Sequence, residues 1–408
     1  MNSVLRKIIV RITPALWPVD ICSIVRNNRK IVKGGKSVGR GSVALVRLDA
    51  IGDFVLWLDA AGGFRNAWPD RHLVLVCNKA CASIAQAAGL FDEVVPIDAG
   101  RLNFAGNFKF RRQLRHQLET HFSGGVELVV QTAYNRRVYT DLVVSAIPAA
   151  RKVSVRDDSY DNAARWALKL TDRIYDELVD TGENRQMELP RNARLVRSLA
   201  DEGFMAGVPV LPVSGQTDVL REAVLQKPYF VIFPGGSFTA KMWPMDRFAR
   251  VAAHINEKTG WTCVVCGAPN EKHLAEKLKE DYDGAFADYT GRTTLLESIE
   301  VIRGARLLVG NDTSGIHFAA ATGTPSVCAF GGWHYGRFLP YQVEGQDESR
   351  DSLPRVAVSP MDCYNCGIVH KTPQCKRHIR RTGLFPCVDA VTVEMVISRV
   401  DECLQNMK

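Results

Sequence analysis

Three groups of residues combine types and spacing that can carry chemistry. The first is Arg47-Leu48-Asp49-Ala50-Ile51-Gly52-Asp53, where two carboxylates flank a tight stretch just after the apolar run Val43 to Val46. A carboxylate at the end of a buried strand can take a proton from a hydroxyl group, and Asp53 and Asp49 are both candidates. The plainer alternative is that Asp53 caps a helix beginning at Phe54. The second group is Asn311-Asp312-Thr313-Ser314-Gly315, which follows Leu307-Leu308-Val309 and precedes the small-residue run Ile316 to Ala321. Thr313, Ser314 and Gly315 there offer hydroxyl and backbone N–H groups at a helix N-terminus, where the dipole favours an anion, usually a phosphate. An ordinary capped loop is the competing explanation, and Asp312 either caps the helix or faces a ligand. The third group is Cys363-X2-Cys366-X8-Cys375-X11-Cys387, with His370 and His378 interleaved. Four soft ligands in a polar segment suit one tetrahedral Zn²⁺ that would order the loop; an Fe–S cluster ranks second, and free thiols or disulfides stay open.

The elements around these groups alternate. Strands are expected at 43–46, 73–76, 93–97 and 128–130, with helices over 54–68, 80–88 and 104–120. The stretch 150–227 is less regular, with helices expected at 162–170 and 186–202. Alternation restarts with a strand at 229–233, the loop Pro234-Gly235-Gly236-Ser237, a helix at 246–257, a strand at 261–265 and helices at 270–280 and 294–303. Strands alternating with helices imply parallel sheets, with ligands at the carboxyl ends of the strands. Glu271, just after Gly267-Ala268-Pro269, sits where Rossmann-like sites hold a ribose through a carboxylate. The fold class is therefore α/β with two Rossmann-like domains. The division reads as a basic amphipathic leader over 1–40, an N-terminal Rossmann-like domain over 41–206, a linker over 207–227, a C-terminal Rossmann-like domain over 228–360, the cysteine cluster over 361–389 and a closing helix over 390–408.

Composition narrows the partners. The net charge of +8 lies wholly in residues 1–40, which hold nine Lys or Arg against Asp20; the remaining 43 basic and 43 acidic residues balance. A neutral body without an aromatic and basic module argues against nucleic acid. The leader has no apolar run of the ~18–20 residues needed to span a bilayer. With Trp17 and its scattered apolar groups it suits an anionic membrane surface, although packing on the body or a disordered basic leader would also account for it. Cys77, Cys81, Cys263, Cys266 and Cys328 fall in apolar patterns as small hydrophobes, consistent with a reducing, cytoplasmic setting.

With both glycine loops placed, the chain resembles the ADP-heptose:lipopolysaccharide heptosyltransferases of glycosyltransferase family 9. RLDAIGD (47–53), PGGSFTAKMWPMDRFARV (234–251) and VGNDTSGIHFAAATGTPSV (309–327) match in order. The resemblance implies a GT-B fold, two Rossmann-like domains facing across a cleft, with the acceptor on the first and the sugar nucleotide on the second. It implies an inverting, metal-independent enzyme moving heptose or a related sugar, most naturally from ADP-heptose, to a lipopolysaccharide core or similar lipid-linked saccharide at the inner face of the cytoplasmic membrane. It places the catalytic base at Asp53 and a phosphate-contacting lysine at Lys241, with donor contacts from Asp312, Thr313, Ser314, Gly315 and Glu271. Arg136 and Arg137 then fall on the acceptor side, able to pair with an anionic saccharide. No cofactor is required for catalysis in this reading, and Zn²⁺ at the cysteines would be structural.

Overall fold

A computed structural model describes residues 21–26, 28, 41–102, 107–156, 162–180, 182, 186–215, 217–345, 353–366 and 373–407, the side chains of 162–165 excepted. The chain forms two compact units, one of Met1–Phe54, Ala60–Asn184 and Arg191–Phe204, the other of Val55–Asp59, Arg185–Pro190 and Met205–Lys408.

The first unit is built on β1 (Ser42–Arg47), β2 (His72–Asn78), β3 (Glu93–Ile97), β4 (Val126–Gln131), β5 (Ala149–Val155) and β6 (Glu177–Val179). All are parallel, in the order β3-β2-β1-β4-β5-β6. Their central members read as unbroken apolar runs because helices cover both faces. The helices of this half of the chain are α1 (residues 21–26), α2 (Ile51–Ala67), α3 (Ala82–Ala88), α4 (Ala99–Leu102), α5 (Phe108–His121), α6 (Val138–Ala146), α7 (Asn162–Thr171) and α8 (Glu188–Leu199). The strand order reverses between β1 and β4. In a doubly wound sheet that reversal opens a crevice at the strands' carboxyl ends, and here those ends lead into Asp49–Asp53 and Tyr134–Arg137.

The second unit repeats the plan. β7 (Tyr229–Phe233), β8 (Thr262–Val265), β9 (Phe286–Asp288), β10 (Leu307–Asn311), β11 (Ser326–Ala329) and β12 (Arg355–Ala357) lie parallel in the order β12-β11-β10-β7-β8-β9. They are joined and closed by α9 (Met245–Thr259), α10 (Lys272–Glu280), α11 (Leu295–Gly304), α12 (Ser314–Thr322), α13 (Pro373–Thr382), α14 (Pro386–Asp389) and α15 (Val393–Asn406). Its reversal falls between β7 and β10, which puts Pro234–Ser237 and Asn311–Gly315 side by side. Two parallel α/β sheets of the Rossmann order, in tandem, make the GT-B type of fold.

Several elements differ from the sequence reading. Strand β5 was not expected because Arg151 and Lys152 interrupt its apolar pattern. Arg151 pairs with Glu177 across to β6, and Lys152, fully buried, donates to Asn28 Oδ1 (2.8 Å) and to the Val144 carbonyl (3.0 Å). The 207–227 stretch packs on α11 and α12: Leu211 N–H donates to the Ala321 carbonyl (3.0 Å), and Arg303 donates to the carbonyls of Leu211 and Pro212. The cysteine segment and α15 share one core with the second sheet. Of the leader, only 21–26 and Asn28 fall among the described residues, and there Ile21 and Ile24 are buried. Among the described residues no helix is long and apolar enough to cross a membrane.

Candidate functional site

At the second unit's reversal point, Asn311 joins two loops. Its Oδ1 accepts the Trp243 N–H (2.9 Å), and its Nδ2 donates to the Pro234 carbonyl (2.6 Å). The glycine loop after β7 and the loop carrying Lys241 are thereby tied to the end of β10. Close packing demands small residues at this point. A Cβ at Gly235 would collide with the Glu271 carboxylate, and one at Gly315 would lie 2.6 Å from the Phe233 ring. Glu271 therefore sits directly against the glycine loop, its Oε2 accepting the Ala268 N–H (2.8 Å).

Lys241 ends a 3-10 turn, Thr239–Lys241, and its Nζ lies 4.7 Å from the Trp333 ring centroid and 5.0 Å from that of Phe238. A cation over ring faces is attracted by their quadrupoles. Asp312, half-buried at the end of β10, is pushed up to about 6 by removal from water, an effect the charge of Lys241 opposes. Thr313 stands at the N-cap of α12 with no side-chain cap bond, and Ser314 and Gly315 form the first turn. The loop after β11 adds two residues the sequence reading missed, Trp333 and His334. Burial, then Arg337 and Lys241, holds His334 well below the usual imidazole range. Gly331-Gly332 at a strand's carboxyl end, next to β10, was the available signal. His317, by contrast, is a core residue: its Nδ1 lies 2.8 Å from Tyr341 Oη, and burial pushes it down to about 4.

The cysteine segment braces this loop from behind. Phe385 N–H donates to the Ala240 carbonyl (3.0 Å), one residue from Lys241, and the Phe385 ring packs against Phe238 and Trp333. Arg247 and His378 both hold Asp389 (2.8 and 2.9 Å), and Trp243 Nε1 donates to the Val391 carbonyl (2.9 Å). Burial pushes the Cys387 thiol up to about 11, and Cys363, Cys366 and Cys375 lie near enough to oppose its ionisation further. Among the described residues no three or more His, Cys, Asp or Glu side chains are arranged to hold a metal ion.

In the first unit, the reversal point carries carboxylates instead. Arg47, buried at the end of β1, pairs with Asp49 (3.0 Å) and donates to the Thr132 carbonyl (2.9 Å) and the Asp53 carbonyl (3.2 Å). The α2 helix begins at Ile51 with Ala50 as N-cap, so Asp53 lies inside the first turn rather than at the cap. Tyr139 adjoins the same carboxylates: burial, then Asp49, raises its phenol to about 12, with Asp53 adding to the rise and Arg137 opposing it. Arg137, the partly exposed N-cap of α6, acts on the same phenol from the start of that helix. Arg136 requires a correction. It is 0% exposed and bonded to Asp141 (3.2 Å), Asp172 (2.6 Å) and the Leu168 carbonyl (2.9 Å), so its guanidinium braces β4 to α6 and α7 and is not presented to a ligand.

The description "Glycosyltransferase family 9 (heptosyltransferase)" matches residues 142–351, more than half of the 408. The chain belongs to that family. The matched region holds Lys241, Glu271 and Asp312–Gly315, whereas Asp53 precedes it. Lipooligosaccharide heptosyltransferase 2 of Haemophilus influenzae is 26% identical over 121 residues, covering 28% of this chain and 34% of that relative. The aligned part thus spans about a third of the relative's length. Among solved structures, the family 9 glycosyl transferase of Veillonella parvula superposes with a TM-score of 0.67 at 16% identity, covering 91% of this chain and 99% of that one. The iron-containing dodecameric heptosyltransferase TibC of enterotoxigenic E. coli, solved in complex with ADP-D-beta-D-heptose, gives 0.51 at 15% identity over 91% of this family 9 chain and 79% of its own.

Proposed function

We propose that this protein is an inverting glycosyltransferase that moves heptose or a related sugar from a nucleoside-diphosphate donor, ADP-heptose first among them, to a lipopolysaccharide core or similar lipid-linked saccharide. The observation that carries the reading is the Asn311 junction. It fixes Lys241, the α12 N-terminus and Glu271 around one glycine loop at a sheet reversal, an arrangement suited to a diphosphate and a ribose. Family membership and the ADP-heptose complex of TibC support the donor assignment.

In this reading Asp53 takes the proton of the acceptor hydroxyl as its oxygen bonds to the anomeric carbon from the face opposite the departing diphosphate. The bond from that carbon to the diphosphate oxygen breaks, and Lys241 with the N–H groups of Ser314 and Gly315 meets the charge that develops there. The sequence holds no Asp-X-Asp pair at a strand end, so protein cations take the part a divalent ion plays elsewhere. Arg137 is the remaining candidate for an anionic acceptor. The acceptor's lipid places the reaction at the cytoplasmic membrane face, with the basic leader on the anionic surface.

Cys363, Cys366, Cys375 and Cys387 would hold a structural metal, zinc before iron. Their thiol chemistry and shared neighbourhood fit such an ion, which would draw them closer together than they stand here. Elemental analysis of protein purified without added metal should find about one ion per chain, lost in Cys366→Ser. The donor is tested by thermal stabilisation with ADP-, GDP- and UDP-sugars. A midpoint raised by the ADP-sugar alone supports the reading; no shift with any of the three overturns it.

A further inference from the structure

Outside the residues assigned to chemistry, α7 shows an unusual division of faces. Ala167, Leu168, Thr171 and, just beyond, Ile174 are buried. Trp166 (45% exposed), Lys169, Leu170 (37% exposed) and Arg173 occupy the opposite side at the i, i+3, i+4, i+7 spacing of one helix face. Isolated exposed apolar residues are ordinary, but a tryptophan and a leucine alternating with two cations along one stripe are not scattered. Neither cation has an ion-pair partner among the described residues. The nearby carboxylates are engaged elsewhere, Asp172 with Arg136 and Asp176 with the Lys152 N–H (2.9 Å).

We propose that the stripe of Trp166, Lys169, Leu170 and Arg173 is a docking surface for an anionic phospholipid bilayer. An indole at the headgroup level, an aliphatic chain below it and cations reaching phosphate is the arrangement by which a helix lies in a membrane interface. Helix α1 and Asn28 pack near the end of α7. Ile24 of α1 is buried in the same core cluster as Ile174, and Asn28 is held by Lys152 (2.8 Å). A second copy meeting the stripe would bring the same two cations against them. An anionic lipid surface is the occupant that complements both the charge and the apolar groups.

The inference deepens the membrane part of the functional reading, and its test reads vesicle binding instead of transfer, so either can fail alone. The full chain is sedimented with phosphatidylcholine vesicles and with mixed phosphatidylcholine–phosphatidylglycerol vesicles. Each basic residue near an anionic surface contributes about 1 kcal/mol, so Lys169→Gln/Arg173→Gln should lower partition onto the mixed vesicles about tenfold or more. It should have little effect on the neutral ones. Trp166→Ser/Leu170→Ser should do likewise, and the fluorescence difference between wild type and Trp166→Phe should shift to the blue when mixed vesicles are added. Unchanged partition in the charge variant, which alters only exposed groups, would overturn the proposal even if the apolar variant folded poorly. So would a wild-type self-association that the apolar variant abolishes while vesicle binding persists, because the stripe would then be a contact between copies. A Trp166 signal already blue-shifted without vesicles would show the leader lying over it and would overturn the proposal as well.

Discussion

The two reversal points are built on the same strand order and finished with opposite electrostatics. In the first unit, two buried arginines at the strand ends are consumed internally. Arg47 is bonded to Asp49 and to backbone carbonyls, Arg136 to Asp141 and Asp172, and the carboxylate of Asp53 stands in the first turn of α2. In the second unit, the cation at the corresponding place lies over aromatic rings, beside a helix N-terminus and an aspartate whose ionisation burial disfavours. One edge presents carboxylates and the other a cation beside a helix N-terminus. The backbone plan does not decide between these; a few side chains at the strand ends do.

The sharpest way to break this contrast is to remove the acid. Asp53→Asn should lower turnover at least about 10²-fold, as loss of a general base does, while donor affinity stays near wild type. Turnover within a few-fold of wild type would take Asp53 out of that role.

The next largest effect separates two adjacent arginines. Arg136→Ala leaves Asp141 buried without its guanidinium and should cost about 3–5 kcal/mol of stability. Arg137→Ala should leave the melting midpoint almost unchanged and raise the KM of an anionic acceptor. Equal destabilisation by the two would contradict the burial that distinguishes them. Lys241→Ala should weaken donor binding about tenfold or more and slow transfer, because charge-assisted contacts to the diphosphate exist in both ground and transition states. Isothermal titration with ADP decides it.

The smallest expected effect belongs to Asp312. Its folded value of about 6 lies above the ordinary 3.8, so the folded state binds the proton more tightly than the unfolded chain, and stability falls as pH rises between about 4 and 6. Asp312→Asn should therefore raise stability at pH 8 by about 1 kcal/mol, an amount discounted for partial exposure, and the gain should vanish below about pH 4. Melting curves at the two pH values would show it, and a gain that does not depend on pH would assign it to another cause.

The contrast was legible in the sequence only where side chains act through the backbone beside them. Parallel strands buried on both faces announce themselves as Val43–Val46 or Leu307–Val309, and the glycines of 234–236 and 310–315 mark the turns that follow. Helix α15, expected to close the chain over 390–408, spans Val393–Asn406. Strand β5 and helix α6 were hidden because a buried Lys152 and a buried Asp141 look like surface residues until their distant partners are known. The same blindness made Arg136 and Arg137 look like a pair, although one residue's step along the chain separates a guanidinium in the core from one near the crevice. Asn311 was read as one more residue able to cap a helix. That its amide would bridge to Trp243 and Pro234, 68 and 77 positions away, cannot be inferred from local pattern.

Asn311 also has a kinetic consequence. The Trp243 amide lies in a loop, and loop amides exchange their protons with solvent through frequent small openings. Here its acceptor is a side chain rooted in β10, at the centre of a six-stranded sheet. Release of that proton then requires the loop to break a contact anchored on β10, so its deuterium uptake should be slower than that of the loop amides around it. In Asn311→Ala the same amide should exchange at the rate of the loop around it.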